Sequence, residues 1–243
     1  MTSRLNVPTS GEAPYVRPRD AATLILLRGG VSNPEILMGR RSQAMAFMPG
    51  LYVFPGGRLE RADFTAQRIG RLHTADEKRL VGGMGSRGNR ARAEALVMSA
   101  IRETHEETGL LLGRSAEPAK RRRPAPHWRP FAEHRVAPDL AGVRYLARAI
   151  TPPGRVRRFD TRFFVATEDM IANGGKPVAS PDEELEEVAW VRLSDAYNLK
   201  IPPITGVVLD ILAQRLKDDP ELTDAPPVPF YRVVNRSFID TPE

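Results

Sequence analysis

The chain reads as an α/β protein, and three observations predict that class. Short apolar runs of strand length recur between turn residues, an Ala-rich segment carries a 3.6-residue apolar period, and a second amphipathic segment lies near the C-terminus. Ala21 to Arg28 (AATLILLR) suits a buried strand, and Glu35 to Arg41 (EILMGRR) is its expected hairpin partner across a Gly29-Gly30/Asn33-Pro34 turn. Leu51 to Phe54 forms a third short strand that stops at Pro55-Gly56-Gly57, where glycine permits close backbone approach. Further strands are expected at Tyr145 to Ile150, Phe159 to Thr167 and Leu185 to Leu193. An amphipathic helix is expected over Ile204 to Leu216, and FYRVV near the C-terminus is expected to add an edge strand.

The principal helix runs from Arg90 to Thr108. Its apolar stripe is Ala93, Leu96, Val97, Ala100, Ile101 and Thr104, and Gly109 is placed to stop it. Two irregular stretches, 61–89 and 113–142, read as insertions. The first holds a helical patch around Ala75 to Leu80 and a glycine-rich end (GGMGSRGN) expected to be mobile; the second holds a short helix around Trp128 to His134. Residues 1–19 read as a flexible lead-in and 20–243 as one domain, with no internal repeat and no dividing linker.

Composition narrows the function. At 243 residues with 41% apolar content the chain can bury a sizeable core. It has no cysteine, which excludes disulfides, thiolate zinc sites and a cysteine nucleophile. A cytoplasmic protein is the expectation, and no apolar run approaches a membrane span. The formal charge of +6 calls for an anionic partner. The arginines are dispersed without interleaved aromatics, so nucleic acid is not the expected partner, and Arg121-Arg122-Arg123 reads as a solvated loop. The sequence is compatible with a homodimer and does not fix the oligomeric state.

The chemistry concentrates at Arg102-Glu103-Thr104-His105-Glu106-Glu107-Thr108-Gly109. Glu103, Glu106 and Glu107 share one helical face at i, i+3 and i+4, in a last turn where the helix dipole disfavours negative charge. Each like-charge pair costs about 0.2–0.5 kcal/mol on an exposed helix. Arg102 offsets part of that, and a hard divalent cation held over a phosphate substrate would offset the rest. On a helical wheel Glu107 lies nearest the apolar stripe, Glu103 next and Glu106 furthest out.

This segment, with Leu110 after it and Phe54-Pro55-Gly56-Gly57 before it, resembles the Nudix box and its preceding loop in the Nudix hydrolases. The resemblance spans most of residues 20–216. It implies a Nudix-type α/β/α sandwich with a mixed sheet and two long insertions. The family splits a diphosphate linked to another moiety by water attack at phosphorus, using Mg²⁺ or Mn²⁺, which favour carboxylate and carbonyl oxygens. By resemblance the metal ligands are Glu103, Glu106, Glu107 and the Gly57 carbonyl, and Arg102 orients the carboxylates. The general base is Glu103 or a later acid in 182–187. Gly88 and Glu94 meet the family's glycine-to-glutamate spacing literally, but Gly57 is the better match by mechanism, which places the insertion 61–89 between loop and helix. Thr104 departs from the family's usual aliphatic residue.

Arg40, Arg41 and Arg58 sit beside the inferred site and are candidates to grip substrate phosphates, the alternative being ordinary surface arginines. The stretches AMAFMPGLYVFPGGRLE and TPPGRVRRFDTRFF look similar to a Nudix branch that includes animal coenzyme A diphosphatases. That likeness implies a CoA or acyl-CoA substrate and a 4′-phosphopantetheine product. Arg158 and Arg162 could meet the 3′-phosphate of CoA, though pairing with Asp160 is the expectation. His105 and His127 are expected to pack or face solvent. The remaining alternatives are MutT-type nucleoside triphosphate hydrolysis and a non-catalytic Nudix-fold nucleotide- or RNA-binding module.

Overall fold

Strand β1 (Arg19–Arg28) is the centre of the sheet, and its apolar run explains the layering. Successive side chains of a strand point to opposite faces. Leu24 and Leu26 therefore enter one core while Ile25 and Leu27 enter the other. A strand covered on both faces needs a continuous apolar run instead of alternation. The computed structural model describes residues 16–30, 33–45, 48–119, 123–175, 184–234 and 237–242. Residues 1–15, Arg121, Arg122 and 182–183, on which parts of the sequence reading fell, lie outside that set.

In chain order the remaining strands are β2 (Glu35–Arg41), β3 (Tyr52–Val53), β4 (Gly56–Arg58), β5 (Arg114–Ser115), β6 (Val136–Ala137), β7 (Arg144–Ile150), β8 (Phe159–Thr167), β9 (Leu185–Arg192), β10 (Pro229–Val234) and β11 (Ser237–Pro242). The helices are α1 (Thr74–Gly83), α2 (Arg90–Thr108), α3 (Arg129–Glu133) and α4 (Pro203–Asp218). Nine strands form one sheet in the order β11-β10-β7-β8-β1-β2-β3, with β4 also pairing β1 and β9 also pairing β2. β1 runs parallel to β8, from Arg19 opposite Phe159 to Leu27 opposite Thr167, and β10 runs parallel to β7. The other pairings in this sheet are antiparallel, so the sheet is mixed.

Helix α2 lays Ala93, Leu96, Val97, Ala100 and Ile101 on one face of the sheet, and α4 lays Val208, Leu209 and Leu212 on the other. The expected α/β/α sandwich is the observed one. The Asn89 side chain caps α2 by accepting from the Arg92 N–H at 2.9 Å, and Gly109 ends it at φ 71°. Truncating a core residue such as Ile101 to Ala would cost about 2–5 kcal/mol.

Two expectations are corrected. The glycine-rich end of 61–89 is ordered as the close of α1 and a 3-10 turn over Gly85–Arg87, because Met84 is buried in the α2 core. β10 is not the sheet edge: β11 pairs with it from Ser237 to Pro242 and takes the edge position. That last segment is short and partly polar, which gave no strand signal.

Candidate functional site

The C-terminal half of α2 faces the loop entering β4, and Arg102 is the hub between them. Its guanidinium is 1% exposed yet fully engaged. Nε donates to Asp63 Oδ1 at 2.9 Å, and Nη2 donates to Asp63 Oδ2 at 3.2 Å and to the Arg58 carbonyl at 2.8 Å. Nη1 donates to Glu103 Oε1 at 2.9 Å and Glu106 Oε2 at 2.8 Å. Burial alone would lower its pKa; the Asp63 hydrogen bonds and the Glu103 and Glu106 charges reverse that and raise it.

The three glutamates differ as the helical wheel predicts. Glu107 is 3% exposed, and its Oε2 accepts from the Gly56 N–H at 3.0 Å. Burial, then the charge on Glu103, pushes its carboxyl well above the usual range. Glu103 is raised to about 7, chiefly by burial, with Arg102 opposing and Glu106 and Glu184 adding to the rise. Glu106 is the outermost, held between Arg102 and the ring of His127. A buried carboxylate and a partly buried one that repel each other, both with raised pKa, are short of positive charge.

Gly57 lies directly against Glu103. A β-carbon there would stand 2.3 Å from Glu103 Cδ, so the carboxylate occupies the space that any other residue would need. Gly88 stands elsewhere, with its missing β-carbon facing the Val81 carbonyl on the helix–turn that precedes α2. Glu94 is tied between Arg90 and Arg68, at 2.7 and 2.9 Å, which is a scaffolding arrangement.

Among the described residues, no three acidic or histidine side chains are gathered closely enough to hold a metal ion as they stand. The reason is visible: Arg102 and His127 draw Glu106 aside, and the Gly56 N–H takes one oxygen of Glu107. The donor chemistry nevertheless suits a hard divalent cation. Glu103 and Glu107 are all-oxygen donors, and the charges of Arg102 beside Glu103 and of Arg41 toward Glu107 do not bring either carboxyl back to its ordinary value.

A cleft of about 610 Å³ opens beside Glu103 and Gly57. Arg41 and Arg58 line it. Arg40 does not; its Nη2 pairs with Glu186 and Glu187 at 3.0 and 2.6 Å, and the Tyr52 hydroxyl donates to the same Glu187. Arg162 is buried against Asp20 and Asp160, and Arg158 donates to the Thr151 and Val16 carbonyls, so both are held structurally. His105 packs edge-on against Phe131.

Sequence reasoning missed Asp63 and the arginines at the cleft mouth, Arg17, Arg19 and Arg157. The sequence carries only half of the signal for Asp63: a buried arginine has five donors that two glutamates on its own helix cannot satisfy, which calls for a further acceptor without naming it. Glu184 falls inside the acidic window 182–187 and lines the cleft.

No model of a protein family matches the chain. It is 26% identical over 245 residues to acyl-coenzyme A diphosphatase NUDT19 of Xenopus laevis, covering 79% of this chain and 63% of that protein. It is 31% identical over 206 residues to the protein of the same name from Gallus gallus, covering 60% and 54%. The chain thus spans less than two thirds of the length of these curated relatives. Among solved structures, a NUDIX hydrolase from Alicyclobacillus acidocaldarius superposes with a TM-score of 0.63 at 29% identity, covering 82% of this chain and 92% of that one.

Proposed function

We propose that the chain is a Nudix hydrolase and that it hydrolyses the diphosphate bond of a nucleoside diphosphate linked to another moiety, with CoA or acyl-CoA the favoured substrate. The observation that carries the proposal is the Glu103–Glu107 pair, Glu103 braced by Arg102 and both set against the Gly56-Gly57 backbone. The names of the two curated relatives support the substrate preference.

Glu103 and Glu107 are the first-choice ligands for Mg²⁺ or Mn²⁺, with Glu106 and the Gly57 carbonyl completing the set. The cation, when bound, neutralises diphosphate charge and makes water a better nucleophile. Arg102 fixes Glu103 and Glu106 through the two hydrogen bonds of its Nη1. Arg41 and Arg58 line the cleft, and in this reading they take the phosphate oxygens, a contact that guanidinium groups can make bidentately. Glu103 or Glu184 accepts the proton of the attacking water. The P–O–P bridge breaks, water's oxygen joins one phosphorus, and the other phosphate leaves on the bridging oxygen. From CoA this gives 4′-phosphopantetheine and 3′,5′-ADP.

The test is a purified-protein screen over CoA, ADP-ribose, NADH, dinucleoside polyphosphates and nucleoside triphosphates with Mg²⁺ or Mn²⁺. CoA turnover that EDTA abolishes is expected. Turnover of none of them would overturn the enzyme reading in favour of a binding module, and turnover of triphosphates alone would overturn the CoA preference.

A further inference from the structure

The cleft holds more positive charge than a diphosphate needs, and the excess is organised. Arg19 begins β1, and its neighbour two residues on, Ala21, lies opposite Arg58 of β4. Residues i and i+2 share a strand face, and a diagonal cross-strand pair is within reach of long side chains. Arg19 and Arg58 therefore rise side by side. Both line the main cleft, and both also line a second recess of about 430 Å³ that adjoins it.

Four arginines wall that recess, Arg19, Arg58, Arg87 and Arg92, against two acids, Asp20 and Glu60. Asp20 is already saturated. Its Oδ1 accepts from the buried Arg162 at 2.9 Å, and its Oδ2 accepts from Arg87 at 3.3 Å and from Arg92. These contacts hold its carboxyl below the ordinary value although burial pulls the other way. Asp20 thus acts as an anchor that aims two guanidinium groups at the recess. It uses Nη1 of Arg87 and Nε and Nη2 of Arg92, leaving other donors of each fork to turn outward. Arg19 and Arg58 have no ion-pair partner among the described residues.

We infer that the recess bounded by Arg19, Arg58, Arg87 and Arg92 binds a phosphomonoester that the substrate carries in addition to its diphosphate. The inference rests on the diphosphatase reading, which places the diphosphate in the main cleft at Glu103. A dianionic phosphomonoester suits the recess because planar guanidinium forks converge on it from three sequence segments, and Arg–phosphate contacts are charge-assisted and directional. Substrates whose nucleotide bears a 2′- or 3′-phosphate are thereby separated from those that lack it.

Binding measurements separate this inference from the catalytic one. By titration calorimetry without metal, 3′,5′-ADP is expected to bind about tenfold or more tightly than 5′-AMP, the difference made by one charge-assisted phosphate contact or more. An arm with 2′,5′-ADP identifies which ribose position the recess accepts. Arg19→Ala and Arg92→Ala are expected to shrink the preference for the extra phosphate to about threefold or less, whereas Arg129→Ala, an exposed arginine of α3 away from the recess, leaves it intact. A thermal melt of each variant excludes misfolding as the cause. Equal affinity for both bisphosphates and 5′-AMP, absence of binding, or a preference unchanged in both recess variants would overturn the inference. Hydrolysis of CoA and dephospho-CoA at equal kcat/KM would do the same while leaving the diphosphatase reading intact. A preference in binding with no turnover of any diphosphate would instead overturn the activity and keep the recess.

Discussion

Asp63 accepts two hydrogen bonds from Arg102, Nε to Oδ1 at 2.9 Å and Nη2 to Oδ2 at 3.2 Å, with both side chains sealed from solvent. The first turn of the insertion 61–89 is thus wired to the helix that carries the glutamates. Removing one partner of a buried pair leaves the other charge uncompensated. Asp63→Ala is expected to destabilise the fold by about 3 kcal/mol in urea unfolding, with Glu103, Glu106 and the Arg58 carbonyl limiting the loss. Activity should fall with it, because Arg102 then loses the contact that orients it toward Glu103. Unchanged stability in Asp63→Ala would show that the insertion does not brace the helix.

Gly57 and Gly88 are expected to fail in different ways. Neither has a positive φ, so the backbone itself tolerates alanine at both. At 57 the new methyl would press on the Glu103 carboxylate, a movable side chain, at 2.3 Å. Gly57→Ala should therefore keep most of its stability and lose about tenfold to a hundredfold in kcat/KM, the scale of a misplacement of around an ångström in a catalytic group. At 88 the methyl would meet the Val81 backbone carbonyl at 2.0 Å. Gly88→Ala should cost about 1–3 kcal/mol through overpacking while the folded fraction keeps its specific activity. The reverse pattern would reassign the loop glycine.

The two glycines also mark how far the sequence is legible. Local signals were sufficient for α2, where Asn89 and Gly109 bound the helix at Arg90 and Thr108, and for β2 and β8, whose limits match the expected ones. They were sufficient for the order of burial among Glu107, Glu103 and Glu106, since a wheel needs only the 3.6-residue period. What they could not supply is long-range pairing. Asp63 is 39 residues from Arg102, and nothing in RADF distinguishes a buried acid from a surface one. Arg19 and Arg58 become neighbours only through the β1–β4 register. Arg40, alternating with Arg41 on β2, was indistinguishable from it until β9 brought Glu186 and Glu187 alongside.

Stability of the metal-free protein should fall as pH rises from about 5 to 8. Glu103 stands near 7 in the folded chain against an ordinary value of 4.5, and Glu107 is shifted in the same direction, each by burial first. A group whose pKa is raised by folding contributes stability below its unfolded pKa, and that contribution is lost as pH climbs through the folded value. Asp20 and Glu94 are shifted the other way, so their losses belong to more acidic conditions, below the ordinary carboxylate range. Thermal melts in EDTA should show the decline, and Mn²⁺ or Mg²⁺ should raise Tm more at pH 8 than at pH 5. A metal-induced shift independent of pH would separate cation binding from these two carboxylates.

Glu107→Gln isolates charge from shape. The carboxylate is 3% exposed, and one of its oxygens serves the Gly56 N–H, a role that the glutamine carbonyl oxygen fills equally well. Its other oxygen becomes an NH₂ group, which donates and cannot ligate a hard cation. The neutral amide avoids the burial and the Glu103 repulsion that an ionised Glu107 meets, so the metal-free variant should be at least as stable as the parent, with the margin growing as pH rises. Loss of a metal-directed carboxylate should nevertheless lower kcat/KM by about a hundredfold or more, at or beyond the upper end of what losing a group hydrogen-bonded to a metal ligand costs. The Mn²⁺-dependent rise in Tm should shrink in parallel. An active Glu107→Gln with an undiminished metal response would place the cation on other carboxylates, and Glu184 beside the cleft would be the next to substitute.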